Sequence, residues 1–222
     1  MNKRTAIIFG ATGLIGNLLL EELLRSEEYL TIKIFIRQPV EISNNKIEEF
    51  VVDFSNPETY LPAIQGDDLF ICLGTTIKKA GSIKKMKEID CDIPVIIATA
   101  AVTNGVKKLA IVSSIGAAPG SSNYYLRIKG EMEQEILKLN LENIAIVRPS
   151  ILLGERKEKR TGEIAGKIVM KVFHPLLLGK MKKYRAIQAG DVAKAMIVIL
   201  QKNTGKNIYE SDELQKQAQE YK

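Results

Sequence analysis

The chain has 222 residues, 45% of them hydrophobic and 26% charged, with 32 Lys and Arg against 26 Asp and Glu. That size and balance suit a globular protein of one domain, or one domain with a small appended lobe, and they exclude a membrane-spanning chain, since no stretch reaches the ~18 apolar residues a bilayer requires. The formal charge of +6 favours anionic ligands. The lysines are nevertheless spread along the whole sequence, with no aromatic-rich basic tract and no zinc-finger spacing, so neither a nucleic-acid partner nor a metal site is expected.

Met1-Asn2-Lys3-Arg4 before an apolar run imitates a signal peptide, but glycines break the run and Glu21-Glu22 follow with no small-residue cleavage site. Ala6-Ile7-Ile8-Phe9 predicts a first strand and Leu18 to Leu24 a first helix. Between them lies Gly10-Ala11-Thr12-Gly13-Leu14-Ile15-Gly16. Strand, glycine turn and helix in that order form the phosphate-binding unit of a dinucleotide fold, here spaced GxxGxxG. Gly10 allows the tight turn, Gly13 lets backbone N–H groups approach a pyrophosphate, and Gly16 lets the helix pack closely.

Thr31 to Ile36 reads as a second strand, ending at Arg37-Gln38-Pro39. An acidic residue there would bind the 2′-hydroxyl of NAD, whereas an arginine pairs with the 2′-phosphate of NADP, so Arg37 argues for NADP over NAD. Ile47 to Val52 predicts a third strand closed by Asp53-Phe54, where a carboxylate either accepts from an adenine amino group or caps the next turn. A short helix over 57–61 and the turn Gly66-Asp67-Asp68 lead to a fourth strand, Leu69 to Leu73. Gly74-Thr75-Thr76 at its carboxyl end suits a backbone passing close to a cofactor, and the basic loop Lys78-Lys79-Ala80-Gly81 that follows either faces phosphates or, by default, is solvated.

Residues 83 to 104 predict a long helix with a kink at Pro94 and a stop at Asn104-Gly105. Cys72 and Cys91 form no CxxC pair and read as reduced thiols, hence a cytoplasmic protein. A fifth strand, Lys108 to Ser113, runs into Ser114-Ile115-Gly116. A helix from Tyr124 to Asn140 and a sixth strand, Ile144 to Val147, end the regular alternation at Arg148-Pro149-Ser150. The expected fold class is α/β, a Rossmann-like doubly wound parallel sheet with ligands at the strands' carboxyl ends.

Beyond 150 the pattern changes. Arg156 to Arg160 is a charged, solvated loop, and Ile164 to Leu178 predicts a helix covering the cleft, its lone His174 given no catalytic part. Leu176 to Lys183 is expected to pack as lid more than as a membrane patch. Asp191 is expected to cap a last long helix, Val192 to Gln201, followed by a polar tail from Ser211 that is helical or frayed. The division is therefore 1–150 as nucleotide-binding core, 151–190 as a small C-terminal substrate or lid lobe, and 191–222 as a helix and tail packing back on the core.

Tyr125 and Lys129 lie four apart on a predicted helix and project from one face. An ammonium beside a phenol stabilises the phenolate, so such a pair suits proton transfer to or from a carbonyl oxygen as hydride moves. A serine at the end of the fifth strand, Ser114 or failing that Ser113, can hold the carbonyl. Tyr29 and Lys33 show the same spacing but fall at a strand entrance, away from the active edge.

With GATGLIG, VVDF (51–54), CLGTT..KAG (72–81), SSIGA (113–117), SSNYYLRIKGEME (121–133), RPSILLGER (148–156) and DVAKAM (191–196) together, the chain resembles the atypical short-chain dehydrogenase/reductases, in the branch of the human Tat-interactive-protein oxidoreductase. The resemblance covers about residues 5 to 200 and implies an NAD(P)-binding Rossmann-like enzyme. It places Ser114, Tyr125 and Lys129 at catalytic positions. Cofactor contacts are expected from Gly10, Thr12, Gly13, Leu14, Ile15, Gly16, Arg37, Asp53, Phe54, Leu73, Gly74, Thr75, Thr76, Ser113, Lys129, Arg148 and Pro149. The leading expectation is an NADP-dependent oxidoreductase acting on a small carbonyl or alcohol, its pocket wall including Ile151, Leu152, Phe173 and Leu177. Two alternatives are an NADP(H)-binding redox sensor without turnover, for which a proton donor is unnecessary, and a nucleotide-sugar epimerase or dehydratase, for which the segment after 150 is short. A monomer or homodimer, without stable membrane insertion, is expected.

Overall fold

A computed structural model describes residues 3–40, 42, 44–154, 179–202 and 205–221. Seven parallel strands form the main sheet: β1 (Arg4–Phe9), β2 (Tyr29–Ile36), β3 (Ile47–Val51), β4 (Asp68–Ile71), β5 (Lys108–Val112), β6 (Asn143–Arg148) and, after a two-residue pair described below, Ile208–Glu210. Their spatial order is β3-β2-β1-β4-β5-β6 followed by Ile208–Glu210. The order reverses between β1 and β4, and the crevice at that switch point is where α/β sheets bind ligands.

Alternation along each strand divides the core into two layers. Ala6 and Ile8 of β1 join the layer beneath α1 (Leu14–Arg25) and α6 (Ala189–Lys202). Ile7 and Phe9 join the opposite layer, beneath α4 (Ile93–Thr103) and α5 (Tyr124–Ile136). Both faces of β1, β4 and β6 are therefore covered, which is why these strands are continuous apolar runs. On the second face, Phe9 stacks on Phe35 with ring centres 4.5 Å apart, and Phe35 stacks on Phe50 at 4.7 Å.

At the amino edge of the sheet Asp68 is fully buried. It accepts a 2.6 Å hydrogen bond from the Tyr29 hydroxyl and pairs with Arg4. Burial lifts its carboxyl above the usual range, with Tyr29 and Arg4 working against that shift. Tyr29 is thus committed to a structural cluster at the end of the sheet opposite the crevice. Asp68, expected in a turn, opens β4.

Three other expectations change. The helix over 83–104 is built from α3 (Ile83–Lys87), a π-helical turn at Glu88–Asp92 and then α4. Pro94 has no N–H to donate to the Asp90 carbonyl and its ring crowds that carbonyl, and the wider turn relieves both conflicts. The short helix after β3 is two 3-10 turns, Pro57–Thr59 and Leu61–Ala63. α6 begins at Ala189, which places Asp191 in its first turn and not at the cap.

Beyond the carboxyl edge, β7 (Leu152–Leu153) pairs in parallel with β8 (Ile187–Gln188). The seventh strand of the main sheet, β9 (Ile208–Glu210), follows α6 and leads into α7 (Ser211–Ala218), which packs on α6. The tail expected from Ser211 is this helix, started by a capping box between Glu210 and Glu213. The charged loop at 156–160 and the cleft-covering helix with Phe173, His174 and Leu177 lie outside the described residues.

Candidate active site at the carboxyl edge of the sheet

The glycine turn leaves no room for side chains. Gly10 has φ +86°, and a Cβ there would lie 2.7 Å from the Cys72 carbonyl oxygen at the end of β4. A Cβ on Gly16 would lie 2.1 Å from the Gly10 carbonyl oxygen, so helix and turn meet backbone to backbone. Gly13 donates its N–H to the Gly10 carbonyl at 3.0 Å and is itself the N-cap of α1, with no capping side chain and no acidic residue in the first turn. The first N–H groups and the positive end of the helix are therefore offered to an anion, and this cradle fits a dinucleotide pyrophosphate. Thr12 and Gly13 are exposed, Leu14 is half-buried, and Ile15 anchors the helix in the core.

Arg37 is exposed directly after β2, at the same edge. Asp53 accepts from the Ser55 hydroxyl and N–H and from the Asn56 amide; these bonds hold its carboxyl below the usual range. It organises its own turn. Phe54 packs edge-on to Tyr60 with ring centres 5.7 Å apart.

The turn after β4 is tied to the middle of the chain by Asp90, in the π-helical segment. Its Oδ2 accepts from the Thr75 N–H at 2.9 Å, and its Oδ1 lies 2.9 Å from the Lys129 Nζ. Asp90 and Lys129 are both buried. Lys129 also donates to the Val112 carbonyl at the end of β5, at 3.3 Å. Burial alone would push the ammonium down, but the Asp90 carboxylate, together with Tyr125 and Cys91, outweighs it, and Lys129 sits above the ordinary lysine range. Gly74 belongs to the same joint, since a Cβ there would meet Asp90 Oδ1 at 3.3 Å. Leu73, Thr75 and Thr76 are half-buried around it.

Asn123 caps α5 by accepting from the Tyr125 and Leu126 N–H groups, which starts the helix one turn before Lys129. Tyr125 and Ser114 are half-buried at the open edge. The Ser113 hydroxyl points elsewhere: it donates to the buried Glu133, which also takes the Arg148 guanidinium through Nε at 2.9 Å and a second, shorter bond. These bonds hold Arg148 above its usual range. Pro149 is buried and its carbonyl accepts from the Ile115 N–H, joining the ends of β5 and β6.

Gly130, next to Lys129, is where the loop before α5 crosses the helix. A Cβ there would lie 2.3 Å from the Ala118 carbonyl carbon and 2.4 Å from the Pro119 nitrogen. Gly130→Ala is expected to destabilise the fold by about 1–3 kcal/mol through this backbone clash, read as a lowered urea midpoint, despite alanine's higher helix propensity.

Residues 10–203 match a family profile described as NAD(P)H-binding. The chain belongs to the NAD(P)H-binding family. Within it, the protein is 36% identical over 167 residues to Protein HTATIP2 of Rattus norvegicus, spanning 73% of this chain and 69% of that one. It is 34% identical over 205 residues to Protein FMP52, mitochondrial, of Candida albicans, spanning 89% and 88%. The solved structure of MoeE5 in complex with UDP-glucose and NAD superposes with a TM-score of 0.69 over 97% of this chain and 81% of that one; at 14% identity this likeness concerns the fold. The Rossmann-like α/β architecture and the nicotinamide-dinucleotide class of cofactor follow. Among the described residues no helix is long and apolar enough to cross a membrane.

The residue that sequence reasoning missed in this candidate site is Asp90. Its one local signal is Pro94, four positions on, which disturbs the helix where the carboxylate turns inward.

Proposed function

We propose that the protein is an NADP-dependent oxidoreductase moving a hydride to or from a small carbonyl or alcohol. The observation that carries this reading is one run of contacts: Gly10 against Cys72, the turn through Gly74 and Thr75 to Asp90, and Asp90 to Lys129, one helical turn from Tyr125. Phosphate cradle and phenol–ammonium pair thereby share the carboxyl edge of β1, β4 and β5. The dinucleotide, when bound, supplies or takes the hydride at its nicotinamide. The chain's part is to hold the substrate oxygen with the Ser114 hydroxyl and to move a proton at the Tyr125 hydroxyl. The Lys129 ammonium, held by Asp90, would hydrogen-bond the cofactor ribose. The segment from 151 to 190, with β7 and β8, forms the substrate lobe. The proposed location is the cytoplasm, consistent with two free cysteines whose burial raises Cys72 to about 12 and Cys91 to about 11, leaving both unreactive.

Arg37 is the residue that selects NADP in this reading. Fluorescence titration is expected to show saturable NADPH binding, tighter than NADH. Arg37→Ser is expected to weaken NADPH about tenfold to a hundredfold and leave NADH unchanged, as loss of a charge-assisted phosphate contact requires. No binding of either dinucleotide sinks the proposal; equal weakening of both sinks the role of Arg37.

A further inference from the structure

Directly after the β4 turn the chain repeats a four-residue pattern, Thr76-Ile77-Lys78-Lys79 and then Ser82-Ile83-Lys84-Lys85. The structure repeats with it. Each hydroxyl caps a short helix, Thr76 accepting from the Lys79 N–H at 3.3 Å and Ser82 from the Lys85 N–H at 3.1 Å. The two helices, α2 (Ile77–Ala80) and α3, meet at Gly81, whose φ of +77° reverses the chain. Each therefore begins with an isoleucine followed by two lysines.

Ala80 and Met86 pack this knob onto the core, and the isoleucines take no part in that packing. Ile77 is 39% and Ile83 50% exposed, and Lys78, Lys79, Lys84, Lys85 and Lys87 are exposed around them. Lys85 pairs with Glu88, and Lys87 with Asp92 and Glu131. Among the described residues Lys78 and Lys84 have no ion pair. Neither helix has an acidic residue in its first turn, whereas α7 has Asp212 and Glu213 there. In helices this short Lys78, Lys79, Lys84 and Lys85 also lie in the last turn, where a cation suits the helix dipole, so the surface is marked by their exposure beside Ile77 and Ile83.

We propose that this knob is a membrane-surface contact that seats on an anionic phospholipid bilayer. Ile77 and Ile83 enter the boundary of the acyl chains while the lysines meet headgroup phosphates. A protein partner would call for a continuous apolar patch or a groove; isolated isoleucines separated by ammonium groups match the mixed chemistry of a headgroup layer instead. The knob follows the Leu73–Thr76 turn without a break, so docking sets one edge of the crevice at the lipid surface. This inference does not rest on the oxidoreductase reading and is tested without cofactor.

The test is co-sedimentation of the full chain with phosphatidylglycerol-containing vesicles and with pure phosphatidylcholine vesicles. Binding is expected only to the former, weakening as salt is added. Ile77→Ser/Ile83→Ser is expected to weaken it about tenfold by removing buried apolar area, with an unchanged Tm because both side chains are exposed. Lys78→Gln/Lys84→Gln is expected to weaken it roughly 30-fold, for two charges lost at the surface. Absence of binding to phosphatidylglycerol vesicles, or equal binding to both vesicle types, overturns the proposal. So does loss in the lysine variant with none in the isoleucine variant, an outcome that reduces the contact to charge attraction with no isoleucine entering the bilayer boundary.

Discussion

Asp90→Asn is expected to destabilise the protein by about 3–5 kcal/mol at neutral pH, the range for removing one partner of a buried ion pair. The asparagine oxygen still accepts from the Thr75 N–H, so the β4 turn keeps its bond. What is lost is the charge facing Lys129, which is buried and, among the described residues, has the Val112 carbonyl as its further acceptor. The sign of the pH dependence follows. In the parent the folded-state pKa of Lys129 is raised, so its contribution is complete below the unfolded value near ~10.4 and is lost as pH rises through the folded one. In the variant burial acts without the carboxylate and the folded pKa falls below the unfolded one. The unfolded chain then binds more protons between the two values, and the variant's stability rises with pH across that interval. Urea unfolding between about pH 6 and 10 should show the gap narrowing toward alkaline pH. A gap constant with pH would mean that Asp90 acts through shape alone.

The contrast between Asp90 and Tyr125 shows what a sequence discloses about such a site. Tyr125 and Lys129 are related by helical periodicity, which is local, and the glycine turn by the conformations that only glycine permits. The parallel sheet was legible for similar reasons, since strands covered on both faces are short apolar runs between breakers. Asp90 and Lys129 are partners 39 positions apart, and an acidic residue within a helical stretch otherwise reads as solvated. Asp68 was hidden in the same way: after Gly66 and Asp67 it has the composition of a turn, and Tyr29, Arg4 and Lys108, brought in by β2, β1 and β5, make its burial tolerable. Gly130 has no local signature, because its reason is a loop crossing over the helix. β9 escaped notice for want of length. Three residues cannot display a period, and that strand forms because β6 presents an open edge to it.

Tyr125→Phe is expected to lower kcat by about 10²–10⁴ on whatever carbonyl substrate a screen identifies, the range for losing a positioned proton donor, while NADPH affinity stays at the parent value. The change removes one hydroxyl from a half-buried ring and nothing from the core layer beneath α5, so the Tm is expected to hold. Lys129 keeps both of its bonds, to Asp90 and to the Val112 carbonyl. An ammonium has three protons, and two such bonds leave capacity for one further partner, the ribose hydroxyl of the proposed cofactor. Phenol and ammonium are therefore separable by experiment: the first variant loses chemistry with binding intact, whereas Lys129→Met is expected to weaken NADPH as well. If turnover survives in Tyr125→Phe, the proton comes from another group and the catalytic assignment falls. If NADPH affinity falls in step with kcat, the hydroxyl is a cofactor contact, and the parent's rate has some other origin.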